Sequence, residues 1–329
     1  MILKDDLFQS VLINPIKQKN DELLIVTGYA TSAMAFHHLQ ELIKLNIKDV
    51  QIKLLIGMTS LDGISYGNHN GFKSIMGEFK NQFECSYLSS YPPVHSKIYI
   101  WRKEGKPTIS FLGSANYTQT AFLGTKQREV LTQCDEKNAI HYFDDLIDDS
   151  IYCTHPDAED FLQAIQPKSL VRRKRRLTRA QRRVEKQNLR SSFSNLESVS
   201  VSLLDRDSEI HKKAGLNWGQ RQGREPNQAY IQLSPEIYRG DFFPIRSTHF
   251  TVLTDDDRTL ICTRAQKNPM GAAIETPHNN SLLGEYFRSR LGLANGAFVN
   301  KEDLEKYGRT NVTFYKIDDE NYYMDFSVE

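Results

Sequence analysis

The sequence predicts an α/β domain followed by a β-barrel domain, and three observations carry that prediction. Between residues 22 and 149 apolar runs of strand length alternate with helix-like stretches. Six short strand-like runs separated by turn residues fill 229–327. Between these bodies, KSLVRRKRRLTRAQRRVEKQNLR (168–190) carries 11 basic residues and 1 acidic, net +10. Residues 1–167 hold 15 basic and 20 acidic (net −5), and 191–329 hold 16 and 20 (net −4), so the formal +1 of the 329-residue chain hides a segregated charge. With 39% hydrophobic and 25% charged residues, each half can bury a core. The boundaries expected are 1–167, a basic linker over 168–213, and 214–329.

The first domain reads in order. ELLIVTGYA (22–30) is a buried strand ending at a glycine; TSAMAFHHLQELIKL (31–45) is a helix capped by Thr31 or Ser32. VQIKLLIGM (50–58) is a second strand and Gly71–Phe79 a second helix. HSKIYIW (95–101), TISFLGS (108–114) and REVLTQC (128–134) are three further strands, and AIHYFDDLIDD (139–149) a closing helix. Such an order builds a sheet with helices on both faces. The basic run reads either as a solvated linker or targeting patch, or as an arm contacting nucleic-acid phosphates.

Several classes are excluded. No run approaches the ~18 apolar residues of a spanning helix. MILKDDLFQS lacks the pattern of a signal peptide. The four cysteines form no CxxC pair, so neither a zinc knuckle nor a disulfide framework is expected, and the expected location is the cytoplasm. Neither GxGxxG nor GxxxxGK[ST] occurs, so any ATPase has to be a separate chain.

The chemistry gathers in 95–129. Along an extended HSKIYIW, His95 and Lys97 share a face ~6.5–7 Å apart. The next run ends in GSAN, where, if the chain stays extended, Ser114 and Asn116 share a face, and Gly113 lets the backbone approach a ligand closely; Glu129 opens the run after that. Phosphodiester transfer suits this set: an imidazole nitrogen attacks phosphorus, a Lys ammonium and an Asn amide hold the non-bridging oxygens, and a carboxylate fixes the histidine tautomer. Fixed cations and dipoles of this kind call for no metal and no cofactor.

HSKIYIW…FLGSANYT…E resembles the phospholipase D superfamily, and more closely its restriction endonucleases. The resemblance implies that His95 is the phosphohistidine nucleophile, that Lys97 and Asn116 bind phosphate with Ser114 assisting, and that Glu129 orients a histidine. Arg102 stands where the lipases carry Asp, which leaves Glu129 as the carboxylate by inference. The signature occurs once, whereas the family reaction uses two histidines, one to attack and one to protonate the leaving oxygen and activate water. His37, His38, His69, His141 and His155 sit in no HxK context. A homodimer that pairs two His95 side chains is therefore expected.

Over 214–329 the expected strands are AYIQL (229–233), HFTVLT (249–254), TLICTRA (259–265), AAIET (272–276), VTFYKI (312–317) and YYMDFS (322–327). Helices are expected at Ser281–Leu291 and 302–308. Two polar loops lie among them. One carries Trp218, Gln220, Arg221, Gln222, Arg224, Asn227 and Gln228; the other carries Arg264, Gln266, Lys267 and Asn268. Each is either a solvated loop or a base-reading arm, since Arg pairs with guanine and Asn or Gln with adenine. Arg288 and Arg290 either contact phosphate or sit on the helix's exposed face.

NWGQRQGREPNQAYI, the run from FFPIRSTHF to GAAIET, LLGEYFRSRLGL and DLEKYGR resemble the B3-like recognition domain of the same enzymes. The combined resemblance implies a phospholipase D-like domain plus a B3-like barrel, acting as a metal-independent, site-specific endonuclease on double-stranded DNA. Its implied partners are a second copy of the chain, a separate ATP-dependent helicase-like subunit and a cognate methyltransferase. The competing reading is a DNA-binding regulator whose phospholipase D-like domain only dimerises. A lipid phosphodiesterase is disfavoured because no membrane-facing stretch is present.

Overall fold

The computed structural model describes residues 2–124, 127–163, 193, 195–265 and 270–328. The basic run 168–190 lies outside the described residues, as do Gln266, Lys267 and Asn268. The chain divides into two compact units, Met1–Ile165 and Gln166–Glu329.

The first unit runs β1 (Ile2–Leu3), β2 (Glu22–Thr27), α1 (Ser32–Lys44), β3 (Gln51–Ile56), α2 (Thr59–Asp62), β4 (Ile64–Ser65), α3 (Tyr66–Glu78) and β5 (Phe83–Leu88). It continues with β6 (Ile98–Lys103), β7 (Lys106–Gly113), α4 (Gln119–Phe122), β8 (Leu131–Cys134), α5 (Glu136–Ile147), β9 (Ser150–Tyr152) and β10 (Leu162–Gln163). Eight strands form one sheet in the order β1-β8-β7-β6-β2-β3-β5-β9. The trio β2, β3 and β5 is parallel, and the strands outside it pair antiparallel.

Leu23, Leu24, Ile25 and Val26 of β2 are all buried, as a strand covered on both faces requires. On one face Leu24, Val26, Leu55, Leu88, Ile98 and Ile100 pack against Ala139 and Phe143 of α5. On the other, Phe72 of α3 stacks on Phe83 at 6.3 Å, and His69 Nδ1 lies 3.1 Å from the Tyr87 hydroxyl. Trp101 Nε1 donates to the Val11 carbonyl at 2.7 Å, which pins the N-terminal turn Phe8–Ile13 to the sheet.

Local expectations met the structure unevenly. Thr31 caps α1, its hydroxyl accepting from Met34 N at 3.2 Å. The second helix begins at Tyr66 rather than Gly71, because Ser65 caps it by accepting from Asn68 N. β5 has no counterpart in the sequence reading: FECSYL mixes Glu and Ser into a strand whose Phe83, Cys85 and Tyr87 are buried. HSKIYIW is a strand only from Ile98, since its neighbour β2 ends at Thr27 and pairs Val26 with Ile98.

The second unit contains β11 (Ser198–Ser202), β12 (Ile231–Gln232), α6 (Pro235–Arg239), β13 (His249–Thr254), β14 (Thr259–Ala265) and β15 (Ala273–Glu275). Then come α7 (Ser281–Leu291), α8 (Lys301–Tyr307), β16 (Asn311–Lys316) and β17 (Asn321–Asp325). Their order, β11-β16-β17-β13-β14-β15-β12, brings the first and last strands close together, so the sheet curls into a nearly closed barrel. Phe243, Phe250, Phe314, Tyr322 and Phe326 fill its core with Tyr286 and Phe287 of α7. The 168–213 linker is corrected here. Ser198–Ser202 is a full sheet strand, in register with Asn311–Tyr315, and Ile210 belongs to the core. SVSVS carries only two apolar side chains and gives a weak strand signal.

Candidate active site

Four segments leave the same end of the first sheet, because β2 and β6, β6 and β7, and β7 and β8 are antiparallel neighbours. They are 27–29 after β2, 95–97 before β6, 114–116 after β7 and 129–130 before β8. Residues far apart in the chain thus meet on one rim.

The Lys97 ammonium lies 3.0 Å from His95 Nδ1 and 3.1 Å from Nε2, and donates to the His95 carbonyl at 2.5 Å. Lys97 is 5% exposed while His95 faces solvent. Burial pushes the Lys97 ammonium below the ordinary lysine range, and the Glu129 carboxylate pulls in the opposite direction. Asn116 Oδ1 accepts from Tyr29 N at 3.2 Å. That obligate donor fixes the amide orientation and leaves the two Nδ2 protons without an acceptor among the described residues. Thr27 Oγ1 shares its single proton between Tyr29 O (2.9 Å) and Asn116 Oδ1 (3.2 Å), and accepts from Tyr117 N at 3.2 Å. The Tyr99 hydroxyl donates to the Ala115 carbonyl at 2.8 Å, so a residue of β6 holds the Ser114–Asn116 turn in place.

Within the chain Glu129 accepts a short hydrogen bond from Ser114 Oγ, which in turn accepts from Val130 N at 3.0 Å. This is a contact to the serine and not to His95 of the same chain. Gly113 also has another task than the one expected. A Cβ there would stand 2.0 Å from the Val130 carbonyl, so the close approach is to the neighbouring strand. His38 is fully buried between the Tyr117 hydroxyl (2.9 Å) and the Leu12 carbonyl (3.3 Å), and burial pushes its imidazole down to about 3. His38 is thus a neutral core residue.

The sequence reading missed Gly28, Tyr29 and Asp62. A Cβ on Gly28 would meet His95 Cδ2 at 2.8 Å and Met58 Cγ at 3.3 Å, so the imidazole rests on that glycine. The Tyr29 ring stands edge-on to His95, 5.6 Å between centroids and 77° between planes, and its hydroxyl donates to Asp62 Oδ2 at 2.5 Å. The available signal was the glycine–aromatic pair closing ELLIVTGY. Gly28→Ala is expected to displace the imidazole and slow phosphodiester cleavage about 10²-fold, with thermal stability little changed. Single-turnover rates beside a melting curve check it.

The second unit sorts the expected base-reading residues into two groups. Arg224 lies over Trp218, its guanidinium carbon 3.8 Å from the ring centre, and donates to Gln228 Oε1 at 2.8 Å. Arg221 and Gln222 are exposed, Arg221 Nε donating to the Lys213 carbonyl at 2.7 Å. The others are corrected. Gln220 donates to the Pro226 and Gly296 carbonyls at 3.2 and 3.0 Å. Buried Asn227 accepts from Gly296 N at 2.7 Å. Arg264 is 5% exposed and donates to the Gly271, Pro244 and Tyr238 carbonyls. Arg288 is fully buried, and Arg290 pairs with Asp255 at 2.7 Å. These side chains brace loops from inside, a role their residue type alone does not reveal.

Residues 5–160 match the family model described as the NgoFVII restriction endonuclease N-terminal PLD domain. Residues 191–318 match the NgoFVII C-terminal B3-like DNA-binding domain. Among solved structures, NucT from Helicobacter pylori is 17% identical over 46% of this chain and 97% of its own, with a TM-score of 0.31. Nuc from Salmonella typhimurium, a phospholipase D family member, is 17% identical over 46% and 95%, with a TM-score of 0.34. No curated protein is significantly similar in sequence. Among the described residues no three His, Cys, Asp or Glu side chains converge into a metal-binding group.

Proposed function

Since the chain belongs to the NgoFVII restriction endonuclease family and is an endodeoxyribonuclease with a phospholipase D-like and a B3-like domain, we propose that it cuts double-stranded DNA through a covalent phosphohistidine, without metal, in an active site completed by a second copy. The observation that carries this reading is the meeting of His95, Lys97, Asn116 and the Ser114–Glu129 pair on one rim of the sheet.

The steps follow from those groups. A ring nitrogen of His95 attacks phosphorus, the P–O bond to the leaving oxygen breaks, and a phosphoramidate forms. The Lys97 ammonium and the free Asn116 Nδ2 protons hold the non-bridging oxygens where charge redistributes in the transition state. A second imidazole supplies a proton to the leaving oxygen, then takes one from the water that releases the histidine. Glu129 orients that second imidazole across the two-fold axis, with Ser114 holding the carboxylate. A row of side chains on the α5 face supports the dimer: Ile98, Leu112, Thr132 and Ile2 are cross-strand neighbours. Ile2 and Leu112 are exposed, as is Val130, three apolar side chains next to the rim and in need of cover. For the B3-like unit, the solvent-facing Trp218–Arg224 stack with Arg221 and Gln222 supports a DNA-reading loop.

Plasmid cleavage by the full chain alone, in excess chelator and with no ATP-dependent partner present, tests the reading. Cutting is expected to persist when divalent metal is removed. Cutting that stops on chelation and returns with magnesium overturns the metal-free mechanism.

A further inference from the structure

We infer that Tyr29, locked by Asp62, is a positioning residue that sets the ring plane of His95 for attack on phosphorus. The inference rests on the reading of His95 as the nucleophile.

An imidazole on a solvent-facing rim has a broad, soft rotation about its outer side-chain bond. Three contacts restrain this one. The Lys97 ammonium lies within 3.1 Å of both ring nitrogens, a Cβ on Gly28 would meet Cδ2, and the Tyr29 and His95 rings make an edge contact. Lys97 is also needed by the phosphate, and Gly28 blocks movement in one direction only. Tyr29 is the restraint with no other evident task.

Its own position is over-determined. The Tyr29 backbone is tied at both ends, N to Asn116 Oδ1 at 3.2 Å and O to Thr27 Oγ1 at 2.9 Å, so the segment that orients His95 also orients the phosphate-binding amide. The ring is 40% exposed, so core packing does not hold it. The Asp62 carboxylate at the end of α2 does, through a charge-assisted bond of 2.5 Å. A carboxylate close to a polyanion site opposes substrate binding, and its capture of the phenol accounts for its presence. That bond, with burial adding to it, pushes the Tyr29 phenol up to about 12, so the hydroxyl keeps its proton and serves as a fixed strut.

Hydrolysis of bis-p-nitrophenyl phosphate by the full chain tests the strut without needing a DNA site or a partner. Tyr29→Phe removes the hydroxyl and keeps the ring; Asp62→Asn removes the charge. Each is expected to lower kcat about tenfold with KM within about twofold of the parent, and the double variant to fall no further, because the two groups act as one unit. A purely structural role would leave kcat per folded molecule unchanged. Single variants at the parental kcat, losses that multiply in the double, or losses confined to KM overturn the inference. A His95→Ala chain that hydrolyses at the parental rate, or a parent that does not hydrolyse at all, overturns instead the reading on which it rests.

Discussion

His95→Ala is expected to abolish cleavage, by about four orders of magnitude or more, while selective binding of duplex DNA stays within about twofold of the parent. The size follows from the chemistry. Removing a covalent nucleophile removes the pathway itself, leaving whatever Lys97 and Asn116 achieve by electrostatics alone. Binding is expected to persist because His95 is a solvent-facing rim residue of the first unit, whereas the match to a B3-like DNA-binding domain falls in the second. The proposed intermediate is directly testable: quenching a single-turnover reaction into alkaline denaturant preserves a P–N bond, so labelled DNA is expected to remain attached to the parental chain and not to the variant. Mixing then tests the second copy. If one imidazole attacks while its twin from the other subunit protonates, a dimer with a single His95 is dead. An equal mixture of parent and variant, after subunit exchange, then keeps about one quarter of the parental activity. Retention of one half shows that each subunit works alone and removes the shared site.

The rim cluster was legible because its residues stand out by type and spacing. A His and a Lys two apart before an apolar run, then Gly-Ser-Ala-Asn before another, place an imidazole, an ammonium and an amide on adjacent strand ends whatever the details of the sheet. The β13 and β14 bounds, 249–254 and 259–265, were legible for a similar reason: β-branched, strand-favouring runs that stop at the turn 255–258. Residue type says less where tertiary context decides. Tyr29 and Asp62 lie 33 positions apart and meet only because β2 and α2 end at the same rim. The Ser114–Glu129 contact was hidden likewise, and with it the fact that Glu129 is engaged by a serine within its own chain. Charge misled most in the second unit, where an arginine reads as a surface ligand until burial is known. Arg264 reads as a base-contacting side chain on that ground, and Arg288 as either a phosphate contact or an exposed residue, yet both terminate on backbone carbonyls.

Arg288 allows the two readings of a buried arginine to be separated by stability. Its Nε donates to the Ala297 carbonyl at 2.7 Å, Nη1 to Gly284 at 3.3 Å and Nη2 to Leu216 at 3.2 Å. The guanidinium therefore ties α7 to the turn before it on its own helix, to the loop beyond its C-terminus and to the 215–220 turn at the base of the polar loop. Gly284 makes room for this arrangement, since a Cβ there would collide with the Asn227 carbonyl and crowd Arg288 Nη1. Burial pushes the guanidinium below the usual arginine range, with Glu225 acting against it. Arg288→Ala is expected to cost about 3–5 kcal/mol of folding stability, because it leaves carbonyl groups without donors beside a cavity. Arg288→Met, which restores most of the volume and none of the donors, is expected to recover only part of that. A phosphate-contacting arginine on an exposed helix face would behave otherwise. Either substitution would move stability by no more than about 0.5 kcal/mol and would flatten the salt dependence of DNA binding by about one unit of slope. Denaturant unfolding of the two variants, paired with a salt titration of duplex binding, distinguishes the two readings; unchanged unfolding midpoints with a flattened salt slope would return Arg288 to the DNA interface.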